Sequence, residues 1–194
     1  MKKQRLITLF LLILPLMATS RVLSSEANPA IDYELRDILQ TTINRADSFT
    51  DPFDAEVWLV DMSSRLKRFI ASDEERLHLL RLVHAEATRA GLQPELVLAV
   101  IQTESTFNQF AISRSGALGL MQIMPFWKKE IGRENDNLTR VATNLRYGCT
   151  ILSYYLDKEK GNLARALARY NGSLNKTRYP ERVMLNWERY WLVR

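Results

Sequence analysis

One cysteine, two histidines and a long gap in acidic residues are the first things this 194-residue chain is short of. Cys149 stands alone, so no intrachain disulfide can form and the fold has to hold without one. Its neighbours from Tyr147 to Leu152 have the pattern of a helix packing face, where a lone cysteine serves as a small core residue. A catalytic thiol needs a basic partner, and His78 and His84 lie elsewhere in a charged stretch, which argues against a Cys–His enzyme. Asp47, Asp51 and Asp54 lack the spacing of a calcium loop, and neither a metal nor a cofactor is expected. Internal repeats and low-complexity tracts are missing too. The longest apolar run, Leu6 to Met17, falls short of the roughly 20 residues that cross a bilayer comfortably.

That run has a different use. Lys2, Lys3 and Arg5 precede it, and the small residues Ala18, Thr19 and Ser20 follow. A basic start, an apolar middle and a small-residue exit make a secretory signal, with cleavage expected after Ser20. An uncleaved N-terminal anchor is the rival, and it is the only contact with a membrane that the sequence suggests. No cysteine follows the run to carry an acyl chain.

Charge is divided unevenly over the remainder. Residues 21–110 hold 9 Lys and Arg against 15 Asp and Glu, whereas residues 111–194 hold 15 against 7. A basic half can hold a polyanion, either nucleic acid or a cell-wall glycan carrying peptide carboxylates. An exported protein rarely meets nucleic acid, so the glycan is the better match. Solvated helix faces account for most of the individual charges.

Nearly every segment reads as helix. Ile31 to Arg45 and Asp54 to Ile70 are amphipathic and are divided by a turn at Asp47 to Phe53. Ser72 with Glu75 forms a capping box that opens a helix ending near Gly91. Pro94 suits the first turn of the next helix, which runs to about Thr106. Leu138 to Leu156 is long and apolar on one side; Asn162 caps a short helix to Tyr170, and Tyr179 to Val193 closes the chain. The fold class is all-α.

Glu104 is the residue that asks for an explanation. Val97, Val100 and Ile101 precede it at helical spacing, so it shares an inward face, where loss of water raises a carboxyl pKa. Such a group is a proton donor near neutral pH; the same position also suits a glutamate that points to solvent or caps the backbone. No Asp or Glu follows until Glu130. Between them Ser113, Ser115, Gly116 and Gly119 make a compact polar turn. Gln122 is a lone amide among apolar side chains, able to donate to and accept from a sugar hydroxyl or N-acetyl group. Phe107, Phe126, Trp127 and Tyr170 could lie against sugar rings or simply fill core.

At these residues the chain resembles the lytic transglycosylases of the soluble murein transglycosylase type, which have a goose-type-lysozyme-like fold. The matching motifs are Glu104-Ser105 with Phe107-Asn108, Gly119-Leu120-Met121-Gln122 with Met124-Pro125, and Tyr170-Asn171-Gly172, within roughly residues 75 to 190. The resemblance implies a lysozyme-like helical catalytic domain, placed at residues 72–194; the signal at 1–20 and a helical extension at 21–71, read from the residues themselves, precede it. It implies Glu104 as the catalytic acid/base; Ser113, Gln122 and Met124 as contacts to the muramyl sugar; and Tyr170, beside Asn171, as the tyrosine that closes over the carboxyl. Peptidoglycan strands in the periplasm would be the substrate, with other cell-envelope proteins as conceivable partners. The chain departs from the pattern after Tyr170: Asn171-Gly172-Ser173 runs quickly into Lys176 to Pro180, and no glutamate precedes Thr177.

One acid suffices if the substrate supplies the nucleophile, since glycosidases in general need two carboxylates. A hydrolase of the same fold would need a second one, for which Glu130, Glu134 and Asp136 are the candidates. A non-catalytic wall-binding scaffold would need neither.

Overall fold

A computed structural model describes residues 48–49 and 51–193. The signal segment and the helix expected from Ile31 to Arg45 lie outside the described residues. Among the described residues no helix is long and apolar enough to cross a membrane.

Helix α1, Pro52–Leu66, starts where Asp51 accepts a hydrogen bond from the Phe53 N–H and proline occupies the first turn. Ala55, Leu59, Met62 and Leu66 form its buried stripe. It stops four residues before the expected Ile70. The closing turn has Phe69 and Ile70 N–H both donating to the Leu66 carbonyl, and Arg76, only 4% exposed, ties down the link that follows by donating to the carbonyls of Ile70 and Ala71 and to Ser63 Oγ. Helix α2, Asp73–Arg89, opens with Ser72 Oγ accepting from the Glu75 N–H, as the sequence signature requires.

Helix α3, Pro94–Ser105, is the centre of the molecule: Leu96 to Ile101 are six consecutive buried residues. A helix buried on every side has neighbours on every side. These are α2, α7 and the terminal π turn. Helix α4, Trp127–Ile131, is one short turn that the sequence did not signal. Helix α5, Val141–Lys158, packs on α2 and on α6, Leu163–Tyr170, which is capped by Asn162 as expected. Helix α7, Arg178–Asn186, runs into a π turn at Trp187–Trp191. The expected helix to Val193 is therefore shorter and its end is wider. Trp191 is fully buried there and donates through Nε1 to Gln102 Oε1 at 2.7 Å, tying the chain end to α3.

The described chain is all-α, with isolated β-bridges Ile112–Leu118 and Leu118–Ile123 as its only extended pairing among the described residues. Leu59, Met62 and Leu66 of α1 share one core with α2, α3 and α5, so no gap falls at residues 71 and 72. Trp58 Nε1 donates to Glu95 Oε1 at 2.6 Å and Arg65 to the Tyr190 carbonyl at 3.0 Å across that join. Glu86, 7% exposed, is met by Arg146 from α5 and Arg89 from its own helix; burial opposes its charge, but the two guanidiniums win and hold its pKa below the usual range. Cys149 is fully buried, and burial pushes its thiol pKa up to about 12. That thiol is chemically silent.

Candidate active site

Helix α3 ends at Thr106 and Phe107, both with positive φ (52° and 64°), so the chain turns sharply away just after Glu104. Glu104 thus occupies the last turn of the most buried helix. Its carboxyl is half-buried above Val97, Val100 and Ile101, each fully buried. Desolvation raises its pKa above the usual carboxylate value; a hydrogen bond from Tyr179 and the charge of Arg182 pull the other way without cancelling it.

The hydrogen bond is short and specific. Tyr179 Oη donates to Glu104 Oε1 at 2.6 Å. Tyr179 is 5% exposed, and burial, then the Glu104 charge, drive its pKa well above 10, so it stays a donor throughout the working range. Tyr179 was not singled out in the sequence, where it reads as the opening of the last helix. Tyr170, expected over the carboxyl, donates to the Met121 carbonyl at 2.8 Å. It remains close enough for the Glu104 charge to add to burial in raising its pKa.

Residues 111–124 wrap into a loop pinned at three points. Ser105 Oγ lies 2.8 Å from the Leu120 carbonyl, and Tyr170 holds the Met121 carbonyl. Asn144, 1% exposed, accepts from the Met121 N–H at 2.8 Å and donates to the Leu118 and Leu138 carbonyls at 2.9 and 2.7 Å. Gly119 permits this approach. Its φ is +77°, and a Cβ there would sit 2.4 Å from Asn144 Nδ2 and 2.7 Å from the Leu138 oxygen. The three sequence motifs are thus one mechanical unit: the helix end, the loop and the tyrosine brace each other.

The loop carries Ser113, Gln122 and Met124, all half-buried. Ser113 Oγ accepts from the Ala117 N–H at 2.9 Å and contacts Ser115 Oγ at 3.0 Å. Gln122 holds a positive φ of 51° and fixes its own amide: Nε2 donates to the carbonyls of Gly119 at 2.9 Å and Ala111 at 3.2 Å. Asn171 is exposed and bonds Ser173 Oγ. With Ser173, Lys176, Arg178, Tyr179 and Arg182 it lines a cavity of about 450 Å³ that reaches the tyrosine on Glu104.

The candidate second carboxylates are placed differently. Glu130 and Glu134 are exposed. Asp136 accepts from Tyr147 Oη at 2.6 Å and from the Arg133 N–H, and the tyrosine first of all keeps its pKa below normal. It secures the turn before α5. The charge felt by Glu104 is that of Arg182, a cation, and among the described residues no carboxylate joins it.

Tyr179→Phe gives this site a pH signature. The phenol stabilises the ionised carboxylate, so its removal leaves burial less opposed and the Glu104 pKa rises further. Any reaction that starts from the protonated acid fades as pH climbs through that pKa, so the alkaline limb of the rate profile should move to higher pH. A limb that stays put or moves to lower pH in Tyr179→Phe would show that the phenol does not tune the acid.

Comparison with known proteins places residues 81–184 in the family described as the transglycosylase SLT domain. That span contains Glu104, Ser113, Gln122, Met124, Tyr170, Asn171 and Tyr179. Over 52 residues the chain is 52% identical to the membrane-bound lytic murein transglycosylase C of Yersinia pestis (strain Pestoides F) and equally to that of Yersinia pseudotuberculosis serotype O:1b (strain IP 31758). The match takes in 26% of this chain and 14% of each relative, so it spans about a seventh of their length. Among solved structures, an inactive mutant of the lytic transglycosylase Slt from Pseudomonas aeruginosa aligns with a TM-score of 0.47 at 23% identity, over 74% of this chain and 31% of that one.

Proposed function

Given that the chain belongs to the transglycosylase SLT-domain family, we propose that it is a peptidoglycan lytic transglycosylase that cuts the β-1,4 bond between N-acetylmuramic acid and N-acetylglucosamine, with Glu104 as its one acid and base. The observation that carries this reading is a half-buried carboxyl with a raised pKa, fixed by a tyrosine, with no carboxylate beside it among the described residues.

The protonated Glu104 gives its proton to the glycosidic oxygen as the C1–O bond of the muramyl sugar breaks, and the N-acetylglucosamine leaves with a free hydroxyl. The muramyl acetamido oxygen stabilises C1 meanwhile. Glu104, now ionised, takes the proton of the C6 hydroxyl; the C6 oxygen closes on C1, and the product ends in a 1,6-anhydro ring. Atoms and protons balance, and the enzyme returns to its starting state. A hydroxyl tethered to the same ring enjoys an effective molarity on the order of 10⁵ M when well oriented, so closure outruns attack by water.

The loop supports the sugar-binding roles of Ser113, Gln122 and Met124. Because Gln122 Nε2 is spent on two carbonyls, its Oε1 is left to accept from an acetamido N–H. Tyr170 acts by holding the loop, and Asn171 lies on the cavity rim. Residues 72–194 form the catalytic domain, and α1, Pro52–Leu66, braces it through Leu59, Met62 and Leu66. Export through residues 1–20, with cleavage after Ser20, puts the enzyme in the periplasm; the membrane-bound murein enzymes among its relatives are in keeping with an envelope location.

Mass spectrometry of glycan products from the purified chain and intact sacculi tests the reading. Fragments ending in 1,6-anhydromuramyl residues are expected. Reducing ends would mean a lysozyme-type hydrolase, and no fragments a wall-binding scaffold.

A further inference from the structure

Two residues before Glu104, Gln102 belongs to a chain of side-chain hydrogen bonds that the proposed reaction does not use. Trp191 Nε1 donates to Gln102 Oε1 at 2.7 Å, and Gln102 Nε2 to Asn186 Oδ1 at 3.4 Å. Asn186 Nδ2 then donates to Thr103 Oγ1 at 2.9 Å, and Thr103 Oγ1 to the Ala99 carbonyl at 2.8 Å. An indole can only donate and a carbonyl only accept, so the two ends dictate the direction of every bond between them. Bonds in such a series polarise one another, and the loss of one weakens the rest.

The π turn makes the arrangement possible. Asn186 ends α7 and Trp191 ends the π turn, where the Leu192 N–H reaches back five residues to the Trp187 carbonyl at 2.9 Å. Residues five apart lie about 140° apart around a regular α-helix. One turn of i→i+5 bonding brings them round to one side, so both meet Gln102. Tyr179, Val183 and Asn186 share one face of α7. On it Tyr179 bonds Glu104, Val183 is fully buried, and Asn186 bonds Gln102 and Thr103. Among the described residues, side chains of α7 bond α3 at these two places only. Apolar contact is non-directional and leaves a helix free to slide or roll, whereas hydrogen bonds fix its setting. The start of α7 adds no such restraint, because Thr177 makes no side-chain cap and the link from Leu174 to Thr177 is exposed.

We infer that this chain of bonds is a positioning device for the acid: by fixing how α7 lies on α3 it sets the bond from Tyr179 to Glu104, with Asn186 as the positioning residue that joins the two helices. The inference rests on the proposed role of Glu104. None of Gln102, Asn186 and Trp191 lines the cavity beside Tyr179, so the device acts through the tyrosine and not on the substrate. The titratable and charged groups that face Glu104 are Tyr179 and Arg182 from α7 and Tyr170 from α6. Tyr179 and Arg182 both oppose the rise in the Glu104 pKa that burial causes, and both ride on the helix that Asn186 secures. Arg182 is exposed and screened by salt, so the phenol carries more of the effect. Loosening α7 therefore raises the Glu104 pKa further.

The test uses the full chain and two substitutions. Asn186→Leu keeps bulk and helix propensity but makes no bond, and Gln102→Met breaks the same chain from α3. Each should lower kcat on glycan strands about ten-fold at unchanged KM. Each should also move the alkaline limb of the rate profile to higher pH, as Tyr179→Phe does. In the Tyr179→Phe background neither should move the limb further, because the bond it would loosen is already gone. Carbon-13 titration of the Glu104 carboxyl, assigned against Glu104→Gln, reads the same shift with no substrate present. Ile151→Val, a buried change on α5, should cost stability and leave limb and titration where they are. An unmoved titration in both variants overturns the inference, as does a shift that adds in full to that of Tyr179→Phe, or one that Ile151→Val reproduces. If neither Asn186→Leu nor Gln102→Met folds, the bonds serve stability alone and the inference falls. Absence of glycan cleavage by the wild type would strike the proposed activity, while the carboxyl titration still decides the positioning role.

Discussion

Replacing Glu104 with Gln is expected to lower glycan cleavage by at least about a thousand-fold while the protein still binds strands, because the amide keeps the shape and loses the transferable proton. The size of the loss follows from the double duty of this side chain. It must protonate the leaving oxygen and then accept from the C6 hydroxyl, and no nearby carboxylate among the described residues can take over either step. The variant should also be more stable than the wild type near neutral pH. The folded state raises the Glu104 pKa, so the native protein holds its proton more tightly than the unfolded chain does. That contribution is fully present below the ordinary carboxylate pKa and is lost as pH rises through the raised one. The amide of Glu104→Gln escapes the loss because it never ionises. Thermal melts across pH check the point: the two proteins should converge in acid and separate toward neutrality. Retained turnover in Glu104→Gln would refute the assignment, and a melting difference independent of pH would refute the buried-acid argument.

Asn144→Ala should be the most damaging change outside the carboxyl. It strips three bonds at once, leaving the Met121 N–H and the carbonyls of Leu118 and Leu138 without a partner in a site that is 1% exposed. Each buried group left unpaired costs about 1–3 kcal/mol, so a total of about 3–5 kcal/mol is expected after some relaxation. For a chain of this size that is a fall in Tm of about 10 °C or more. Asn144→Asp separates shape from bonding: it conserves volume and the acceptor for Met121 but loses both donations. If both variants unfold within about 1 kcal/mol of the wild type in urea, the loop is held by something other than this amide.

Asn144 also shows where sequence reading stops. Helix α5 was legible from its apolar spacing, and a polar residue between Val141 and Leu145 on the inward side was there to be noticed. What the spacing could not tell is that the amide faces a loop more than 20 residues earlier. Glu104 was legible for the opposite reason. Its environment is made by the preceding two turns of its own helix, and local periodicity reports local neighbours. Tyr179 lies 75 residues beyond Glu104, and its hydroxyl bond is purely tertiary. The bond of the Tyr170 hydroxyl to the Met121 carbonyl, 49 residues earlier, is likewise tertiary. Helix starts with side-chain caps, at Ser72 and Asn162, were readable to the residue. The end of α1 was not, because the apolar spacing runs on to Ile70 while the chain closes at the Leu66 carbonyl and its link is tied down by Arg76 of the following helix. Helix α4 is five residues long, too few for a period to show.

The sealed sulfur of Cys149 has a practical corollary. The native chain presents no accessible thiol among its described residues, and its one cysteine can meet an alkylating reagent only when the packing of α5 comes apart. A cysteine introduced on the exterior would therefore be the molecule's lone addressable handle for a fluorophore or a crosslinker, and the slow labelling of the original would time the breathing of the interior.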